Sequence, residues 1–155
     1  MKLLRTVRVD QSDIQLFPEA ADPGEWAVPG SFMFADADWE KPSRQERQAF
    51  AHGFLGLDSF GWSTLVTVAA IERKDYEAAI DSLARHLQQD YGAQDFATAR
   101  AAAKEEVDYA ASLCGHPVDT LLALERVIEG DAIREQFRIV SPPVETPRDV
   151  MKVRP

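Results

Sequence analysis

Residues 54–63 read FLGLDSFGWS, and the architecture turns on how this stretch is taken. It combines two glycines, large apolar residues, an acid and two hydroxyls. A marked helix runs into it and the most apolar strand candidate runs out of it. We read it as a loop between those two elements. Upstream, Ser43 can cap a helix, and Glu46, three residues later, can bond back to the cap's amide. That helix runs to about Phe54, with Phe50 and Phe54 one turn apart on its inner side. Gly53 or Gly56 is expected to end it in the left-handed conformation. Downstream, Thr64 to Ile71 (TLVTVAAI) has no polar face, as a strand covered on both sides would not.

Working outward toward the N-terminus, Leu3 to Val9 alternates loosely and carries β-branched residues, which predicts a strand. Ile14, Leu16 and Phe17 suggest a second strand, stopped by Pro18. Asp22-Pro23-Gly24 marks a turn. Trp26, Val28, Phe32 and Phe34 then follow a period of two, interrupted by Pro29-Gly30, as an edge strand or bulge does. The three strands are expected to form a meander.

Toward the C-terminus, Asp75 is positioned to cap a helix from Tyr76 to Tyr91, ended by Gly92. Its buried stripe is Tyr76, Ala79, Ile80, Leu83 and Leu87. Asp95 caps a second helix to about Leu113, with the stripe Phe96, Ala99, Ala103, Val107 and Ala110, ended by Gly115 and Pro117. Their link is short, so the two helices form an antiparallel pair. Leu121 to Glu129 and Ile133 to Val140 are strands joined at Gly130-Asp131, a tight hairpin turn. Ile133, Phe137 and Ile139 share one face of the second strand, and Arg134, Gln136 and Arg138 share the wet one. Residues 3–140 thus form a single α+β domain: a mostly antiparallel sheet of about six strands, in the order βββαβααββ, with the helix pair packed on one face. Residues 141–155 hold four of the nine prolines and read as an extended or disordered tail.

Composition narrows the function classes. The 155 residues suffice for one core without disulfides. No apolar run is long enough to cross a bilayer, and the N-terminus lacks a signal-peptide core. The single cysteine, Cys114, fits a reducing compartment, so a cytoplasmic location is expected. The net charge is -9, and eight acids with no Lys or Arg lie between Asp10 and Glu40. Such a surface repels phosphate, which argues against nucleic acid and anionic membrane. Solvated loops account for it most simply, and a docking face for a basic protein partner is the functional alternative.

Four phrases, EWAVPGSFMFADAD, GFLGLDSFGWSTLV, ATARAAAKEEVDYAASLCGHP and AIREQFR, resemble those of a small bacterial family built on a domain of unknown function. The resemblance covers residues 3 to 140. It implies no fold, activity or catalytic residue. It does imply a setting, because genes of such proteins are found near those for accessory proteins of molybdenum and iron-sulfur oxidoreductases.

Tested as chemistry, the central stretch matches no catalytic pattern. A nucleophile elbow needs glycine two before its serine, whereas Gly56 lies three before Ser59. A pairing of Ser59 or Ser63 with His52 stays open. Asp36, Asp38 and Glu40 alternate like calcium ligands, but Lys41 and Arg47 stand where that loop needs glycine and an acid. Cys114 and His116 have no second pair for a tetrahedral site. The glycines match no phosphate-binding pattern. No cofactor and no metal is expected.

What remains is form. Phe54, Leu57, Phe60 and Trp62 either plug the end of the core or present a contact surface. The candidate binding residues are Leu57, Asp58, Ser59, Phe60, Trp62 and Ser63. The expected function is a non-catalytic accessory or interaction protein, with a homodimer through an exposed strand edge as a further association. The alternative is a small-ligand-binding protein or enzyme with its pocket at residues 54–63.

Overall fold

The computed structural model describes residues 1–8, 20–34, 43–90 and 95–140. The strand expected at residues 14–17, the acids Asp36, Asp38 and Glu40, Gly92 and the tail from residue 141 lie outside the described residues.

The architecture is α+β, with seven strands among the described residues where about six were expected. They are β1 (Lys2–Val7), β2 (Trp26–Val28), β3 (Phe54–Gly56), β4 (Trp62–Ser63), β5 (Leu65–Ala70), β6 (Leu121–Glu129) and β7 (Ala132–Val140). Three α-helices accompany them among the described residues: α1 (Arg44–His52), α2 (Arg73–Asp90) and α3 (Phe96–Ser112). Every pairing is antiparallel, in the order β4-β3-β2-β1-β5-β6-β7.

β1 occupies the middle, so Leu3 and Leu4, on opposite faces, are both fully buried. β5 differs from its expectation of two covered faces. Val66 and Val68 are fully buried, whereas Leu65, Thr67 and Ala69 on the other face are half-buried. The third expected strand is also shorter than its pattern. It ends at Val28, because Gly30 turns with φ of 81° and residues Ser31–Phe34 wind into a 3-10 turn. Phe34 thereby swings onto Trp62, with ring centroids 5.1 Å apart, and edge-on to Phe50 at 5.3 Å.

The helix starts follow the sequence closely. Ser43 accepts from Glu46 N at 3.0 Å, and Glu46 Oε1 accepts from Ser43 N at 2.8 Å, which completes the capping box. Asp95 caps α3 by accepting from Thr98 N at 2.7 Å. α2 begins at Arg73, so Asp75 lies in its first turn rather than at the cap. The stripe of α2 is buried at Tyr76, Ala79, Ile80 and Leu83. That of α3 is buried at Ala99, Ala103, Val107 and Ala110, but Phe96, at the first helical position, is exposed. Tyr76, early in α2, donates to Asp108, late in α3, at 2.5 Å. Arg100, early in α3, donates to Asp81 at 2.8 Å. The two helices therefore run in opposite senses, and the small stripe of α3 lies against β1 and β2.

The β6–β7 hairpin forms in the expected register, with Glu129 opposite Ala132. Gly130 takes φ of 61° at the first central position, as a type II′ turn requires. Only Leu121 and Leu122 pair with β5. Beyond them β6 curls onto α1, where one side chain secures it. Arg126 is a charged residue with almost no exposed surface. Its Nη1 donates to Phe50 O at 2.7 Å, and its Nη2 to Pro29 O at 2.6 Å and Gly53 O at 3.0 Å. Its Nε donates to Glu135 Oε2 at 2.9 Å. Burial pulls its pKa below the ordinary guanidinium value, and Glu135 opposes that shift. The guanidinium thus satisfies carbonyls at the C-terminus of α1, where a cation also complements the helix dipole.

Candidate functional site: an acidic cleft beside the central hairpin

The central stretch is a β-hairpin, not a loop. α1 stops at His52, residues 54–56 form β3, residues 57–61 turn, and Trp62–Ser63 return as β4. Gly53 ends α1 in extended conformation, with φ of -86°, rather than the left-handed one expected. Its missing side chain matters for space. A Cβ there would lie 2.7 Å from Ala49 O and 2.8 Å from Trp62 Cε3.

A residue 33 positions before Asp58 shapes the turn. The buried Glu25 carboxylate accepts from Asp58 N at 2.9 Å and Ser59 N at 2.8 Å through Oε1. Its Oε2 accepts from Ser59 Oγ at 2.7 Å and Asp22 N at 2.7 Å. Four donors thus converge on one carboxylate, which fits its nearly complete burial. Gly56 lies directly beneath, where any Cβ would run into Glu25 Oε1. Thr6 joins from β1 by accepting from Glu25 N at 2.9 Å and donating to Asp22 O at 2.6 Å. Loop 22–25, the hairpin turn and the middle strand form one hydrogen-bonded unit.

This unit and α2 flank an open cleft of about 390 Å³. Asp22, Glu25, Asp58 and Asp75 contribute its carboxylates, and Trp26, Leu57 and Ala79 its apolar surface. None of the described residues lining it is basic. Asp22 and Asp58 are exposed and Asp75 is half-buried. Arg5 stacks over Trp26, with its guanidinium carbon 4.4 Å from the ring centroid.

The six candidate residues separate in space. Leu57 and Asp58 line the cleft. Ser59 is committed to Glu25 and also accepts from Gly61 N at 3.1 Å. Phe60 takes φ of 57° and stacks on His86 of α2, with centroids 3.9 Å apart. Trp62 is buried against Phe34, and Ser63 is buried with its hydroxyl on Val7 O and Leu65 O. His52 bonds the Leu124 carbonyl at 3.1 Å and lines a different groove from Asp58. No Ser63–His52 or Ser59–His52 pair is formed. Sequence reasoning missed Glu25, Trp26 and Asp75 as partners of this turn. The turn signal at Asp22-Pro23-Gly24 was the only local hint, and it carries no information about a partner so distant.

Among the described residues, no three His, Cys, Asp or Glu side chains are grouped as metal ligands. Cys114 is buried, and burial pushes its thiol up to about 11, away from the reactive thiolate.

Among the described residues, an antiparallel sheet, three α-helices and a carboxylate-pinned hairpin make an α+β fold. The chain belongs to the family of unknown function DUF6505, whose model matches residues 1–151. No similarity to a curated protein or to a solved structure is found. No helix among the described residues is long and apolar enough to cross a membrane.

Proposed function

We propose that this is a non-catalytic accessory or interaction protein that receives a basic segment of a protein partner in the acidic cleft. One observation carries the reading: the described lining of the cleft has four carboxylates and no basic residue. Glu25 already serves four internal donors. Asp22, Asp58 and Asp75 are therefore the acids that an incoming Lys or Arg meets. The half-buried Trp26 and the exposed Ala78 offer apolar surface to the methylene stem of such a side chain. The hydroxyls beside the cleft are committed to the fold, Ser59 to Glu25 and Ser82 to Leu57 O at 2.7 Å. That supports binding over nucleophilic catalysis.

The proposal includes a cytoplasmic location, supported by the single buried cysteine. It also includes a role in maturation of molybdenum and iron-sulfur oxidoreductases, the setting that the sequence resemblance implies. A cleft of this size also suits a small organic cation, which is the second reading.

A fluorescent peptide carrying two arginines tests the site. It is expected to bind the native protein and to weaken at least tenfold with Asp22→Lys, Asp58→Lys and Asp75→Lys combined. Affinity should also fall with added salt. Equal binding by the triple variant overturns the reading. Affinity purification followed by mass spectrometry, with the triple variant as control, identifies the partner.

A further inference from the structure

The two edges of the sheet are finished differently. At the β4 edge, Ala20 bridges Trp62, and Ala21 N donates to Trp62 O at 2.9 Å. That edge is covered. At the other edge, β7 is nine residues long, and no strand lies beyond it among the described residues. Neither proline nor a bulge interrupts it, since its register with β6 is continuous from Ala132 to Val140. Long uninterrupted edges are usually blunted or covered in folded proteins.

The register says which groups are open. Glu129 and Ala132 flank the two-residue turn and form a hydrogen-bonded pair. Alternate pairs follow the same pattern, so Arg134, Gln136 and Arg138 direct their amides and carbonyls at β6. Ile133, Glu135, Phe137 and Ile139 direct theirs away from the sheet. Beside this edge, between β7 and the end of α3, runs a groove of about 450 Å³ lined by Leu113, His116, Leu122, Phe137 and Ile139 among others. Ile139 is 57% exposed, although it lies on the apolar face of the strand.

The geometry points to β7 as a strand-addition site for an extended partner segment whose side chains alternate between apolar and acidic. An added strand would take up the four outward amides and carbonyls, which no described strand pairs. Its side chains opposite Phe137 and Ile139 face the groove and should be apolar. Those opposite Arg134 and Arg138 face the wet side, where Glu129 already pairs Arg134 at 2.8 Å and the exposed Arg138 calls for an acid. A second copy of the chain fits poorly. Self-pairing over the full strand, centred on Gln136, sets Arg134 against Arg138 twice. This edge is separate from the acidic cleft, so the two proposals stand or fall independently.

The probe is a blocked nine-residue peptide of alternating valine and glutamate, with a valine–lysine peptide as control. The valine–glutamate peptide is expected to bind and to slow amide exchange at Ile133, Glu135, Phe137 and Ile139. Ile139→Pro removes a donor that serves only the open edge, and Arg138→Glu reverses one cation. Each should weaken binding at least tenfold with the melting temperature kept. Exchange at Arg134, Gln136 and Arg138, whose amides bond β6, reports in the free protein whether either variant disturbs the hairpin itself. Absence of binding, equal binding of the lysine peptide, or full affinity in both variants overturns the proposal. So does a concentration-dependent dimer that Ile139→Pro abolishes, because the occupant is then a second copy.

Discussion

Arg126 Nη1 donates to the Phe50 carbonyl at 2.7 Å, across 76 positions of sequence. A buried guanidinium on a strand thereby finishes a helix that is only nine residues long. Helices of that length are marginal by themselves, so α1 depends on this contact and on its packing against β6.

Arg126→Met tests that dependence. It leaves the carbonyls of Phe50, Pro29 and Gly53, and the Glu135 carboxylate, without their shared donor. The expected loss is about 3–5 kcal/mol, the usual consequence of breaking a buried charged network from one side. Urea denaturation measures it, and Arg126→Lys should recover only part because an ammonium lacks the planar fork. An unchanged urea midpoint for the methionine variant contradicts this account.

Glu25→Gln keeps volume but removes the charge that four donors share. A loss of about 1.5–3 kcal/mol is expected, the range for hydrogen bonds to a charged group. The loss should be local. Amide exchange at Asp58 and Ser59 should accelerate well before exchange in the β6–β7 hairpin does.

Two glycines make a paired test of crowding. Gly53→Ala forces a methyl group against Ala49 O and the Trp62 ring and should cost about 1–3 kcal/mol. At Gly115 no described atom lies within 4 Å of an added Cβ, and the backbone is not in the left-handed region. Gly115→Ala is therefore expected to be neutral or to gain up to about 1 kcal/mol. Thermal melts of both variants side by side give the comparison.

Burial raises the pKa of Glu106 above its ordinary value, and the nearby Glu135 and Glu105 charges add to the shift. A carboxyl whose folded pKa is raised binds its proton more tightly in the native state. Its ionisation therefore destabilises the fold increasingly as pH rises from the ordinary value of 4.5 through the raised one. Glu106→Gln should raise the melting temperature at pH 7. That advantage should vanish below the ordinary carboxylate range, where Glu106 is protonated in both states. Melts across that interval decide the sign.

The elements that could be read in the sequence are those specified locally. Ser43 with Glu46, Asp95 with Thr98, and Gly130-Asp131 each announce a boundary through contacts a few residues long. The helix stripes were equally legible, because burial at three-four spacing follows from helix geometry itself. Residues 54–63 were not. The turn between β3 and β4 has no Asn-Gly or Gly-Gly signal, and Phe60 takes the left-handed position that usually calls for glycine. Its shape comes from Glu25, a contact made only after folding. β2, β3 and β4 are two or three residues long, too short for a period of two to register. Arg126 escaped for a related reason. It sits beside Glu125 near the wet end of a hairpin, and only the curl of β6 onto α1 encloses it. Of the candidate site, Leu57 and Asp58 were anticipated, whereas Trp26 and Asp75 come from segments that the sequence does not connect to the turn.

The placement of β1 bears on how the molecule is assembled. Its neighbours, residues 26–28 and 65–70, are both made later. Until they emerge from the ribosome, Leu3 and Leu4 have nothing to shelter them, and both flanks of the strand stay unpaired. Closure of the sheet about β1 waits for the distant residues 65–70 and is correspondingly slow. A nascent chain stalled before residue 65 is the form most exposed to aggregation and most in need of a chaperone.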